Sequence, residues 1–206
     1  MYSLYTVLGL DENACDEAVN AAYSHLRHQL AALQLEPCSL GGAQAAQCLA
    51  AVEQSYQTLS NPERLSEYQH AWKLWLNDVE ATEMQPKLGQ LCVAAGIITL
   101  DDLNNAIESQ TKLDLPIGQI MQENLLITQA ELDGLLLGQQ LITLPVDLPH
   151  RIGQRLIALG LVTEDMVRIA LIEQRTFDKE LAELLIGHGW LDPDVFNILK
   201  RPLQLQ

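Results

Sequence analysis

Apolar and small residues at Ala18, Ala21, Ala22, Leu26, Leu30 and Leu33 recur three and four apart, which predicts a long helix from about Asp16 to Leu35. A shorter helix around Tyr5 to Leu8 precedes it, stopped by Gly9. The stretch Glu36 to Gly42 holds a proline and paired glycines and reads as a break. A second long helix is expected from about Ala43 to Leu59 on Leu49, Val52, Tyr56 and Leu59. Ser60-Asn61-Pro62-Glu63 reads as the start of another, with a capping residue and then proline in the first turn. It continues through Tyr68, Trp72 and Trp75, the tryptophans covering the seam between helices. Residues 1–80 thus form one unit, and residues 81–86 a polar linker.

Beyond Pro86 the pattern repeats. Arg151 to Gln174 places Gly160 at its tenth position, Thr163 at the thirteenth, Val167 and Leu171 at the seventeenth and twenty-first, and a glutamine last. Lys87 to Gln110 fits the same frame with Gly96, Thr99, Leu103 and Ile107. Pro116 to Gln139 keeps Thr128, Leu132 and Leu136 but has Leu125 in place of the glycine. A worn fourth copy from Glu180 keeps Leu181, Leu185, Gly189, Leu191 and Asp192. The start-to-start steps are 116 − 87 = 29, 151 − 116 = 35 and 180 − 151 = 29, which means two tandem pairs. They occupy residues 87–139 and 151–206, with a connector at 140–150.

Each copy reads as a helical hairpin. The glycine at the tenth position supplies the left-handed residue that ends the first helix. Two aliphatic residues then anchor the turn, and Thr99, Thr128, Thr163 or Asp192 caps the second helix. Asp102 and Glu131 stand at capping-box spacing. The apolar positions of the second helices are expected to be core, because one hairpin cannot bury its own face. The fold class is therefore all-α: four N-terminal helices followed by helical-hairpin repeats.

Composition narrows the function. With 48% apolar and 19% charged residues the chain is globular. Twelve Lys and Arg against 27 Asp and Glu give −15, a field that repels phosphate backbones and disfavours nucleic acid as a partner. No apolar run approaches the roughly 18 residues of a membrane span, and the N-terminus lacks a signal-peptide pattern, so the cytoplasm is expected. Cys15, Cys38, Cys48 and Cys92 form no C-x-x-C pair and read as small buried hydrophobes. His25 and His28 share a helical face with no third ligand nearby in sequence, so no metal is expected. No nucleophile–base or paired-carboxylate constellation stands out, and an enzyme is not expected.

On Tyr5, Leu8-Gly9-Leu10, Ala22-Tyr23, Leu26, Ala51, Tyr56, Leu59-Ser60-Asn61-Pro62-Glu63-Arg64 and Tyr68, residues 1–80 resemble a J-domain. That family's His-Pro-Asp tripeptide, needed to stimulate a heat-shock ATPase, is replaced by Ala31-Ala32-Leu33. The basic face of its second helix is reduced to Arg27 with His25 and His28. The resemblance implies the fold without co-chaperone activity. The repeats resemble, in two consecutive copies, the N-terminal domain of type II secretion and type IV pilus assembly ATPases, whose paired motifs bind cyclic di-GMP. That resemblance implies ligand positions at Lys87, Leu88, Gly89 and Gln110, at Ile117, Gly118 and Gln139, and at Arg151, Ile152, Gly153 and Gln174. Pro116 and Glu180 stand where two of the motif arginines belong. The favoured expectation is a non-catalytic adaptor that contacts a protein partner and needs no cofactor. A cyclic-di-GMP sensor is the alternative.

Overall fold

The computed structural model describes residues 2–12, 14–35, 39–78, 83–142, 144–145, 151–177 and 179–200. The fold is all-α. The chain divides into two compact units that interleave in sequence. The first holds Met1–Glu80 with Leu148–Glu164 and Leu185–Gln206, and the second holds Ala81–Asp147 with Asp165–Leu184.

The first unit begins with α1 (Leu4–Leu8), α2 (Asp16–Leu33), α3 (Leu40–Leu59) and α4 (Pro62–Asp78). Ser3 caps α1, its hydroxyl accepting from Tyr5 N–H, and Gly9 ends it at φ 76°. Leu26 and Leu30 of α2 and Cys48 and Val52 of α3 are buried where these helices pack on each other. Tyr56 stacks on Tyr23 with ring centroids 3.9 Å apart. Asn61 caps α4 by accepting from Glu63 N–H at 3.0 Å, which leaves Pro62 at the first helical position, where its missing N–H goes unneeded.

Gly41 and Gly42 do not break the chain as the sequence suggests; they lie in the first turn of α3. Ser39 caps that helix, its Oγ accepting from Gly42 N–H at 3.0 Å, so the break is confined to the residues before it. Gly41 is buried, and a Cβ there would stand 3.0 Å from the Asp192 carboxylate. The position needs close approach rather than flexibility.

The same unit contains α9 (Arg151–Ala158), the C-terminal part of α11 (Leu181–Gly187) and α12 (Pro193–Lys200). Leu156, Leu185, Leu191 and Leu199 are almost fully buried. Packing runs from α1 to α9 and from α12 to α2 and α3, so the four N-terminal helices share one core with repeat-derived helices.

The second unit contains β1 (Glu83–Met84), α5 (Leu88–Ala94), α6 (Leu100–Leu113), α7 (Ile117–Glu123), α8 (Gln129–Leu141), β2 (Leu144–Pro145) and most of α10 (Glu164–Thr176). The expected linker and connector are not bare. Glu83 and Met84 pair antiparallel with Pro145 and Leu144, because backbone brought together here satisfies its donors and acceptors across two residues. Leu91 and Ile172 form a small core against which Ala94, Leu135 and Ile142 pack.

The hairpin frame holds in all four copies. Gly96, Leu125, Gly160 and Gly189 have φ of 68°, 57°, 72° and 71°. At each, the residue's own N–H reaches back three residues and the next N–H reaches back five, as in Leu125 to Gln122 at 2.9 Å and Leu126 to Met121 at 2.8 Å. This is the Schellman arrangement, which uses up the last carbonyls of the first helix. Thr99 and Thr128 then close capping boxes with Asp102 and Glu131.

The expectation that every second-helix aliphatic is core fails in the first pair. Ile107 is 39% exposed and Leu136 42%. Ile107 lies on α6 and Leu136 on α8, and α8 has no fully buried residue. Cys48 and Cys92 are buried as expected, Cys15 is exposed at the start of α2, and Cys38 lies outside the described residues.

Candidate functional site

The residues that resemblance would assign to a ligand fall in both units. Lys87, Leu88, Gly89, Gln110, Ile117, Gly118, Gln139 and Gln174 lie in the second, and Arg151, Ile152 and Gly153 in the first. The Arg151 side chain lies outside what is described, though its backbone begins α9.

In the second unit these residues are engaged with the fold itself. Lys87 precedes α5 and its Nζ sits 3.8 Å from Asp165 Oδ1. The same carboxylate oxygen accepts from Gln90 Nε2 at 2.7 Å. Gln90 Oε1 in turn accepts from the Lys87 N–H at 2.8 Å, which satisfies one of the first free donors of α5. Gln90 is buried, and nothing in the sequence singled it out: its partner is 75 residues away. The motif cation of the first copy therefore already faces a carboxylate.

Gly89 and Gly118 serve helix contacts. A Cβ on Gly89 would collide with Leu103 of α6. One on Gly118 would stand 3.0 Å from Leu132 of α8 and 3.4 Å from Leu88 of α5. Both glycines are buried under their own hairpins, while Leu88 and Ile117 are half-buried. The spaces over the glycines hold side chains of the same chain.

The closing glutamines follow one rule. Gln139 Nε2 donates to the carbonyl of Pro86 at 2.6 Å, the residue immediately before the first copy. Gln174 Nε2 donates to the carbonyl of Lys179 at 3.1 Å, the residue immediately before the fourth. In these two copies the last side chain thus holds the backbone entering the paired copy. Gln110, half-buried at the end of the first copy, occupies the corresponding place.

In the first unit, Ile152 lines a cleft of about 420 Å³ with Gly9, Leu10, Asp11, Glu12 and Arg155. Arg155 went unnoticed in the sequence because it falls at an unmarked position of its motif. It is 9% exposed, and its guanidinium donates to the carbonyl of Leu199 at 2.7 Å and of Val7 at 3.4 Å. Those carbonyls lie at the C-terminal ends of α12 and α1, where the helix dipole favours a cation. Burial lowers the Arg155 pKa to about 10, so it stays charged at neutral pH. Burial also pushes the Cys48 thiol up to about 12, with the Arg155 charge acting weakly the other way. Gly9 leaves room for this arginine, since a Cβ there would stand 2.6 Å from its Cζ.

Two glutamines of α3 bind hairpin turns in this unit. Gln44 Nε2 donates to the Trp190 carbonyl at 2.9 Å, and its Oε1 accepts from Asp192 N–H at 2.9 Å. Gln47 Nε2 donates to the Gly160 carbonyl. Ala31, Ala32 and Leu33 form the last turn of α2, and His25 and His28 are exposed on the same helix. Trp72 is half-buried against Tyr68 with ring centroids 6.2 Å apart; the Trp75 side chain lies outside the described residues. Among the described residues no group of three or more His, Cys, Asp or Glu is placed to hold a metal ion. Among them, too, no helix is long and apolar enough to cross a membrane.

Among the exposed large hydrophobic residues, three lie together on the outer side of α8. Leu136, Leu137 and Leu141 are 42%, 64% and 81% exposed. Beside them, a Cβ on Gly134 or Gly138 would find nothing within 4 Å. No protein-family model, curated protein or solved structure matches the chain.

Proposed function

We propose that the chain is a non-catalytic adaptor of the bacterial cytoplasm that contacts a protein partner and helps regulate or assemble a larger machine. The observation that carries this reading is α8: a 13-residue helix without one fully buried side chain, presenting three exposed leucines. Exposed leucines gathered on one helix face form the kind of apolar patch that marks a contact surface. The ligand positions support the same reading. Lys87 already faces Asp165, the glycines are covered by Leu103 and Leu132, and Gln139 and Gln174 hold backbone carbonyls. A charged dinucleotide would have to displace these contacts, of which the solvent-exposed Lys87–Asp165 pair is worth about 0–1 kcal/mol.

On the J-like part, the residues in the tripeptide position form helix rather than an exposed loop, which supports a module kept for its shape. The test has two arms. Calorimetry with cyclic di-GMP is expected to give no heat of binding, and tight binding would replace the adaptor by the sensor. Affinity capture with the full chain and with a Leu137→Glu variant is expected to recover a partner only with the former.

A further inference from the structure

We propose that the outer face of α8 pairs with the same face of a second copy of this chain, antiparallel, about a two-fold axis passing between Leu135 and Leu136. The inference rests on the reading of α8 as a contact surface and names its occupant. Ala130, Gly134, Leu137 and Leu141 are spaced four, three and four apart, which places them on one stripe of the helix. All four are exposed. The stripe is small at its N-terminal end and large at its C-terminal end.

That gradient is self-complementary in one orientation only. Antiparallel pairing about the stated axis sets Leu137 of one copy over Gly134 of the other, and Leu141 over Ala130. The leucines then fill the open space above Gly134, where a Cβ meets nothing in the chain itself. Parallel pairing would set leucine on leucine and glycine on glycine, leaving a gap.

Charge selects the same orientation. Glu131 and Asp133 occupy the first turns of α8, while Gly134 to Leu141 carry no charge. Antiparallel pairing brings Glu131 opposite Gln140 and Asp133 opposite Gly138; parallel pairing would bring like carboxylates together. It also sets the helix dipoles head to tail. In a chain of net charge −15, a neutral self-matching face is what a second copy can approach. The contact is about 20 Å long, at the small end of protein interfaces, so a reversible dimer is expected.

Sedimentation equilibrium on the full chain tests this. The expected result is a monomer–dimer equilibrium that Leu137→Glu weakens roughly 100-fold, about tenfold for each of the two copies it enters. Gly134→Leu, which meets nothing in its own chain, is expected to weaken it without lowering the melting temperature. Leu125→Glu, at an exposed leucine off the stripe, is expected to leave it unchanged. A monomer at all concentrations overturns the proposal, as does a dimer equally sensitive to Leu125→Glu or indifferent to Leu137→Glu. In a Cys15→Ser, Cys38→Ser background, Gly134→Cys mixed with Leu137→Cys is expected to form a disulfide. Gly134→Cys linking to itself instead would refute the antiparallel register. A monomer that still captures a different protein through Leu137 sinks the second copy and leaves the adaptor standing. A dimer whose α8 variants capture partners undiminished sinks the reading of α8 as the adaptor surface and leaves the dimer.

Discussion

Leu125 is the residue the fold should most readily exchange. It stands where the other three copies have glycine, at φ 57°, in the region an L-residue with a Cβ enters only under strain. That strain is worth about 1–2 kcal/mol. Its side chain is 91% exposed, so removing it forfeits almost no buried apolar surface. Against the relief stands the extra freedom glycine gives the unfolded chain, roughly 0.5–1 kcal/mol. Leu125→Gly is therefore expected to stabilise the second unit by about 0.5–1 kcal/mol, an upward shift of roughly 2–8 °C for a unit of this size. The reciprocal change, Gly96→Leu, meets nothing within 4 Å and isolates the same conformational term with opposite sign. Differential scanning calorimetry of both variants reads both values. A Leu125→Gly protein that melts lower than the wild type, together with a harmless Gly96→Leu, would refute the assignment of the tenth position as a left-handed cap.

Other outcomes follow from the buried groups. Arg155→Met leaves the Val7 and Leu199 carbonyls without their charged donor and is expected to destabilise the first unit by about 2–4 kcal/mol in chemical denaturation. Arg155→Lys should not restore it, since an ammonium lacks the planar fork that reaches both carbonyls. Cys48, buried with its thiol pushed up to about 12, is expected to resist alkylation in the native protein at pH 8 while exposed Cys15 reacts, as intact mass would show. Hydrogen bonds from Thr99 and Thr128 hold the Asp102 and Glu131 carboxyls below their ordinary values. A lowered folded-state pKa gives stability that is present above the ordinary carboxylate range and lost as pH falls through the folded value. Melts from pH 7 to pH 3 should show that acid loss, flattened in an Asp102→Asn, Glu131→Gln variant.

The hairpins were legible because each signal acts over a few residues. A glycine at the tenth position, aliphatic residues after it, and a threonine with an acid three further on each fix their own turn. Leu125 was not legible as a left-handed residue, since the glycine that signals the turn is missing there; the frame around it imposes the same backbone nonetheless. Gly41 and Gly42 misled because glycine's usual meaning is conformational, whereas Gly41 is there for the approach of Asp192 from the far end of the chain. Gln90 with Asp165, Gln44 with Asp192 and Arg155 with Val7 were invisible for the same reason. Each pair joins residues at least 75 apart, and the repeat frame that marks Asp192 as a cap carries no sign of its partner Gln44. The ligand positions were visible as a motif, but whether Lys87 faces solvent or a carboxylate depends on such a distant partner.

The capping residues carry a distinction that the repeat frame alone hides. Copies one and two have an acid at the sixteenth position, Asp102 and Glu131, and each accepts from its own cap's N–H, at 3.0 Å and 2.7 Å. Copies three and four have Met166 and Val195 there, neither of which carries a carboxylate. In copy four the corresponding donor, Asp192 N–H, goes instead to Gln44 of α3 at 2.9 Å. A helix start needs its first donors satisfied wherever it lies, and a self-sufficient cap needs no neighbour to do so. A copy with its own capping box needs no neighbour for this donor, although the turn residues Gly96, Leu125, Gly160 and Gly189 are exposed in all four copies. The copy without one is completed by the four-helix part of the chain. In copy four the loss of the acid at position sixteen thus goes with a cap completed by a helix of the four-helix part, within the first unit.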